Sequence, residues 1–122
     1  MQRIVRAEAL YRCDVCKTEY LKKRAAQRCE ASPVEDREFR RGDAVRAVER
    51  RSCFLCRPKT YIVRGKVSKV IGPVLMDEEY SKKWLNGRGL GMHVFQYVVA
   101  FVKPCCKKRT SALYYGIELK RC

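Results

Sequence analysis

Histidine is almost missing from this chain: a single one, His93, stands among 122 residues. That argues against a catalytic zinc, which keeps an open position and relies on His or carboxylate ligands, and it excludes a His-Glu-x-x-His helix outright. No Gly-x-Ser-x-Gly elbow and no phosphate-cradling glycine loop is present either. The segment Asn86-Gly87-Arg88-Gly89-Leu90-Gly91 is glycine-rich, but no strand-plus-helix pattern precedes it. It reads as a loop whose Arg88 and backbone amides approach phosphates. Asp77, Glu78 and Glu79 read as a solvated acidic run, and His93 as a structural residue. The expectation is a protein that is not an enzyme.

Long apolar runs are also missing. Nothing approaches the roughly 18 residues of a membrane span. The start, Met1-Gln2-Arg3-Ile4-Val5-Arg6, lacks the apolar segment of an export signal. An intracellular location, cytoplasmic or nuclear, is therefore expected. Acidic side chains are scarce, 13 against 28 Lys and Arg, for a formal charge of +15. The excess is +4 over residues 1–42 and +11 over 43–122. Such an imbalance fits a polyanionic partner, most often nucleic acid. The plainer alternative is a solubility role with no specific site.

What the chain does have is cysteine, eight in all. Without a route to an oxidising compartment, these read as thiolate ligands rather than as the disulfide framework of a secreted protein. Cys13 and Cys16 are separated by two residues, and Cys29 follows at a spacing that places it on the next helix. Three such sulfurs can converge on one tetrahedral zinc. The preferred fourth ligand is Cys122, because domain termini often lie close together and small barrels join their first and last strands. His93 and Glu35 are the alternatives. The second set is Cys53 and Cys56 with Cys105 and Cys106. These sit in alternate connections of an antiparallel meander, which emerge at the same end of a sheet. Two structural zinc ions are expected.

Pattern along the chain suggests a short strand over Ile4–Leu10 and a helix from about Glu19 to Ala31. Thr18 is its expected cap, with Leu21, Ala25, Ala26 and Cys29 facing inward. Ser32-Pro33 ends the helix, since a residue before proline is pushed from helical angles. Residues 34–41 read as a linker between a small module (1–33) and a second one (42–122). Strands are expected over Asp43–Arg50, Lys59–Ile71, Val94–Lys103 and Ala112–Leu119. Their inward positions would be Tyr61, Val63, Val67 and Ile71, then Phe95, Tyr97, Val99 and Phe101, then Leu113, Tyr115, Ile117 and Leu119. A long insert, residues 72–93, carries the lone Trp84. The fold class expected is α+β, mainly β, with metal stapling a modest core.

Tyr11, Cys13, Cys16, Tyr20, Ala26 and Cys29 together resemble a two-cysteine, two-histidine zinc finger with Cys29 in place of the first His. The second His has no counterpart around Pro33–Glu35. The resemblance implies a knuckle plus one helix, with Lys22, Ala25 and Arg28 in the base-facing places. Phe39-Arg40-Arg41-Gly42-Asp43-Ala44-Val45, Gly65-Lys66-Val67 and Tyr97-Val98-Val99-Ala100-Phe101 resemble an SH3-like barrel of the KOW or Tudor kind. That likeness implies binding to nucleic acid or protein.

The functional expectation is a zinc-stabilised protein that grips the phosphate backbone of RNA or DNA, within a larger nucleoprotein assembly. The contact residues would be Lys22, Lys23, Arg24 and Arg28 on the helix, with Arg64, Lys66, Lys69, Arg88, Lys107, Lys108 and Arg109 beyond it. Tyr114 and Trp84 are candidates for stacking on an unpaired base. The alternative is an adaptor or small inhibitor that binds an acidic or nucleic-acid-processing protein.

Overall fold

A computed structural model describes residues 2–4, 10–53 and 60–122. They fall into two units, Met1–Asp36 with Gly72–Val94, and Arg37–Ile71 with Phe95–Cys122. The insert expected at 72–93 thus groups with the N-terminal module.

In the first unit, β1 (Gln2–Ile4), β2 (Leu10–Arg12) and β3 (Glu19–Tyr20) form an antiparallel sheet in that order. The turn between β2 and β3 closes with the Cys13 N–H donating to Thr18 C=O at 3.0 Å and the Lys17 N–H to Cys13 C=O at 2.8 Å. Lys17 takes the left-handed φ of 63° that the turn needs. Helix α1 (Lys23–Ala31) then packs on β2 and β3.

This corrects the expected helix start. Tyr20 and Glu19 pair with Tyr11 and Arg12, so they belong to the hairpin, and Thr18 caps nothing. Lys22 precedes the helix and offers no side-chain cap. Leu21 falls in the connection and is 68% exposed, while Ala26 and Cys29 are the buried helix residues. The expected end is observed, with the Ser32 N–H on Cys29 C=O just before Pro33.

The Asp77–Glu79 run, expected in a loop, opens a short helix, α2 (Glu78–Trp84). Asp77 accepts from the Tyr80 N–H, and Glu78 pairs with Lys82 one turn on at 2.6 Å. Acids in a first turn and lysines in a last turn suit the helix dipole. Trp84 ends α2 and is 64% exposed.

The second unit carries most of β4 (Ala44–Ser52), β5 (Thr60–Leu75), β6 (His93–Val102), β7 (Arg109–Tyr115) and β8 (Leu119–Arg121), with a 3-10 turn (Gly116–Glu118) before the last strand. The last residues of β5 and the first two of β6 count to the first unit. The expected barrel is, among the described residues, an open five-stranded antiparallel sheet in the order β7-β6-β5-β4-β8. The final strand does return beside the first of the set, with Arg46 opposite Lys120 and Ala47 opposite Leu119.

Side chains alternate across a strand, and one face supplies the core: Val45, Ala47, Tyr61, Val63, Val67, Tyr97, Val99 and Phe101. Phe39 meets Tyr97 edge-on, ring centres 5.3 Å apart. The β7 assignment differs from expectation in part: Tyr115 and Leu119 are buried as expected, but Leu113 and Tyr114 exchange roles. Tyr114 stands opposite Tyr97 and lies in the core, whereas Leu113 stands opposite Val98 and is 52% exposed. Tyr114 is covered by the Arg51 guanidinium rather than offered to a base. Among the described residues, no helix is long and apolar enough to cross a membrane.

Gly65 allows the strands to close up: a Cβ there would lie 2.0 Å from the Ala100 carbonyl oxygen. Backbone cannot yield as a flexible side chain can. Gly65→Ala is therefore expected to lower stability by about 1–3 kcal/mol, the usual range for overpacking. A urea unfolding midpoint equal to that of the parent would refute this account of the position.

Candidate metal centres

The β2–β3 turn presents Cys13 and Cys16, and α1 brings Cys29 in its last turn. The fourth donor is His93, at the start of β6. Its placement is backbone-driven: the His93 N–H donates to Pro33 C=O at 2.7 Å, and the Glu35 N–H donates to His93 C=O at 2.9 Å. Val34 and His93 form a parallel bridge, so the stretch read as a linker holds the histidine in place.

The four donor atoms lie within 4.8 Å of one another. Cys29 Sγ is 3.5 Å from Cys16 Sγ and 3.4 Å from His93 Nε2, and Cys13 Sγ is 3.9 Å from that nitrogen. Cys13 and His93 are fully buried. His93 Nδ1 lies 3.2 Å from Ser32 C=O. A carbonyl only accepts, so the proton belongs on Nδ1 and the Nε2 lone pair faces the sulfurs. This is the outer-shell contact that orients a ligating imidazole.

The thiols are unequal. Burial works against the Cys16 thiolate, but its hydrogen bonds with the Thr18 side chain and backbone and with Cys29 outweigh it and bring its pKa down to about 6. Burial, with the neighbouring Cys13 and Cys16, pushes Cys29 up to about 12. Crowded, partly charged sulfur of this kind is stabilised by a bound cation, which displaces the remaining protons.

The second group is Cys53, Cys105 and Cys106, again with donor atoms within 4.8 Å. Cys53 is buried just past β4, and the other two lie in the β6–β7 turn, so the alternate connections do meet as the meander required. Cys56 lies outside the described residues. The β6–β7 turn repeats the β2–β3 turn: the Lys103 N–H donates to Lys108 C=O at 2.9 Å, and the Lys107 N–H to Lys103 C=O at 2.8 Å. Lys107 has φ 58°, matching Lys17. Superposing the patterns puts Cys106 in the place of Cys16 and Lys103 in that of Cys13. The adjacent Cys105 therefore supplies the sulfur that position 103 lacks.

The two groups are compatible with two structural metal sites. Cys122 belongs to neither group. It is exposed at the end of the chain, its N–H donating to Ala44 C=O at 3.1 Å, and continues the β8–β4 ladder instead of bending toward a metal site. Glu35 contributes its backbone N–H, not a ligand. The signal for His93 was its solitude in a cysteine-rich chain. What ranked it second was the missing knowledge that residues 32–35 run beside it.

Lys22, Lys23, Arg24, Arg28, Arg64, Lys66, Lys69, Arg88, Lys107, Lys108 and Arg109 are all exposed. Ala25, expected among the base-facing positions, is half-buried on α1. Arg88 turns its Nε to Leu85 C=O at 3.1 Å. Sequence reasoning passed over Arg46, Arg50 and Lys120, whose common face only strand register reveals. No family model, curated protein or solved structure matches this chain.

His93→Ala and Cys29→Ser should each remove one metal ion per chain in native mass spectrometry, while Cys122→Ser leaves the count unchanged. Loss of metal from Cys122→Ser would overturn the assignment of His93. Cys53→Ser should release metal from the second group and lower the thermal midpoint. An unaltered metal content there would remove that site.

Proposed function

We propose that this chain is a non-enzymatic, zinc-stabilised nucleic-acid-binding protein. The observation that carries the reading is the division of charge. The Arg37–Ile71 and Phe95–Cys122 unit contains 17 basic and four acidic residues by sequence, a net of +13, against 11 and nine, a net of +2, in the other unit. One module thus concentrates the positive field, as a polyanion receptor needs.

The donor spacing supports zinc. A tetrahedron with Zn–S near 2.3 Å and Zn–N near 2.05 Å sets S···S at about 3.8 Å and S···N at about 3.5 Å. The observed separations of 3.4–3.9 Å fall around those values. Three thiols and one imidazole, with two of the four fully buried, fill the coordination and leave no open position, which marks a structural rather than a catalytic metal. The knuckle followed by α1 supports the finger reading, and the return of β8 to β4 supports the SH3-like reading of the second unit.

Contacts to phosphate release counterions, so affinity falls steeply with salt. For a fluorescein-labelled oligonucleotide, four phosphate contacts correspond to a drop of about 50-fold in affinity between about 50 and 200 mM salt, using a slope of roughly 0.7 per contact. Fluorescence anisotropy reads this directly. Absence of binding at the lower salt would defeat the proposal.

A further inference from the structure

The register of the sheet sorts its residues onto two faces. Opposite the core face, Arg46 stands across from both Arg64 and Lys120, Arg50 from Ile62, Ala44 from Lys66, and Arg109 from Val102. Residues paired directly across antiparallel strands share a face. One face therefore collects Arg46, Arg50, Arg64, Lys66, Arg109 and Lys120, and no carboxylate is among its registered residues. Asp43 is occupied elsewhere with Arg121 at 3.2 Å, and Glu118 accepts the Tyr115 N–H in the 3-10 turn.

The face is not uniformly polar. Val102 and Leu113 are 47% and 52% exposed. Arg50, Ile62, Arg64, Val102 and Pro104 line a cleft of about 330 Å³, at the lower end of the roughly 300–1,000 Å³ of small-molecule sites. Two guanidinium groups over an apolar floor suit a particular chemistry. Arginine forks grip phosphate oxygens and their planes stack on flat rings, while Ile62 and Val102 offer an apolar surface for a base. A duplex presents phosphates outward with its bases stacked inside, and would leave that floor unused.

Resting on the nucleic-acid reading above, we infer that this face is the binding surface and that its occupant is a single strand of nucleic acid, with one unpaired base in the cleft between Arg50 and Arg64. The phosphates on either side of that base lie along Arg46, Lys66, Arg109 and Lys120. The basic residues of α1 are not required.

The test uses the full chain with fluorescein-labelled single strands of about 12 nucleotides, oligo(dT) and oligo(U), within the roughly 4–16 nucleotides a small β-fold covers. A duplex of equal length is the comparison. The single strands should bind about tenfold or more tightly than the duplex. Arg50→Ala/Arg64→Ala should weaken single-strand binding about tenfold and reduce the salt slope by about 1.4, two contacts at roughly 0.7 each. Val102→Glu, which keeps every cation and places a carboxylate in the cleft, should act in the same direction. Lys22→Ala/Lys23→Ala/Arg24→Ala should bind as the parent does. All the changed residues are exposed, and unchanged metal content and melting confirm that each variant is folded.

Parent-like binding by Arg50→Ala/Arg64→Ala together with loss in the α1 variant would overturn this surface and leave the nucleic-acid reading standing. Equal or tighter binding of the duplex would overturn the single-strand assignment. A parent protein that binds none of the probes, or binds only phosphatidylserine vesicles, would overturn both.

Discussion

Three cysteine sulfurs and an imidazole nitrogen packed within 4.8 Å form a donor set positioned to hold a metal ion. Without one, the thiols must share protons against burial and against each other, which is why Cys16 and Cys29 are driven in opposite directions. The rest of the first unit depends on this convergence. Its sheet has strands of only two or three residues, and α1 buries just Ala26 and Cys29. Each unit has about 60 residues, a size at which apolar burial leaves little margin and a metal is a common staple.

The second unit uses the same turn to a different end. Its core is a continuous face of Val, Tyr and Phe, so cohesion rests more on burial than in the first unit. The turn at 103–108 and Cys53 tie together two connections at one end of the sheet. The register of the strands decides which cations share a face.

Much of this was legible beforehand because it depends on local chemistry. Cys13-x-x-Cys16 announced its knuckle, Pro33 announced the end of α1, and alternation in Tyr61–Val67 and Tyr97–Phe101 announced two core strands. The failures share a cause. Thr18 looked like a cap, but Glu19 and Tyr20 were taken by pairing with β2. Leu113 looked inward by composition, yet Tyr114 faces the core because it lies opposite Tyr97. Asp77 looked like one of three idle acids and is a helix cap. In each case a partner distant in sequence or a local hydrogen bond outweighed hydrophobic pattern.

The sequence by itself determined the supply of metal-binding donors and the sign of the charge: eight cysteines with one histidine, and a charge of +15, depend on residue type alone. Which donors meet, and which cations line up, was decided by tertiary structure. His93 reaches Cys13, a partner 80 positions away, only because residues 32–35 hydrogen-bond along its strand. Arg46, Arg64 and Lys120 become neighbours only because β8 returns to β4 and β4 pairs with β5. Both are consequences of backbone hydrogen bonding between remote segments, for which no spacing along the chain is a substitute.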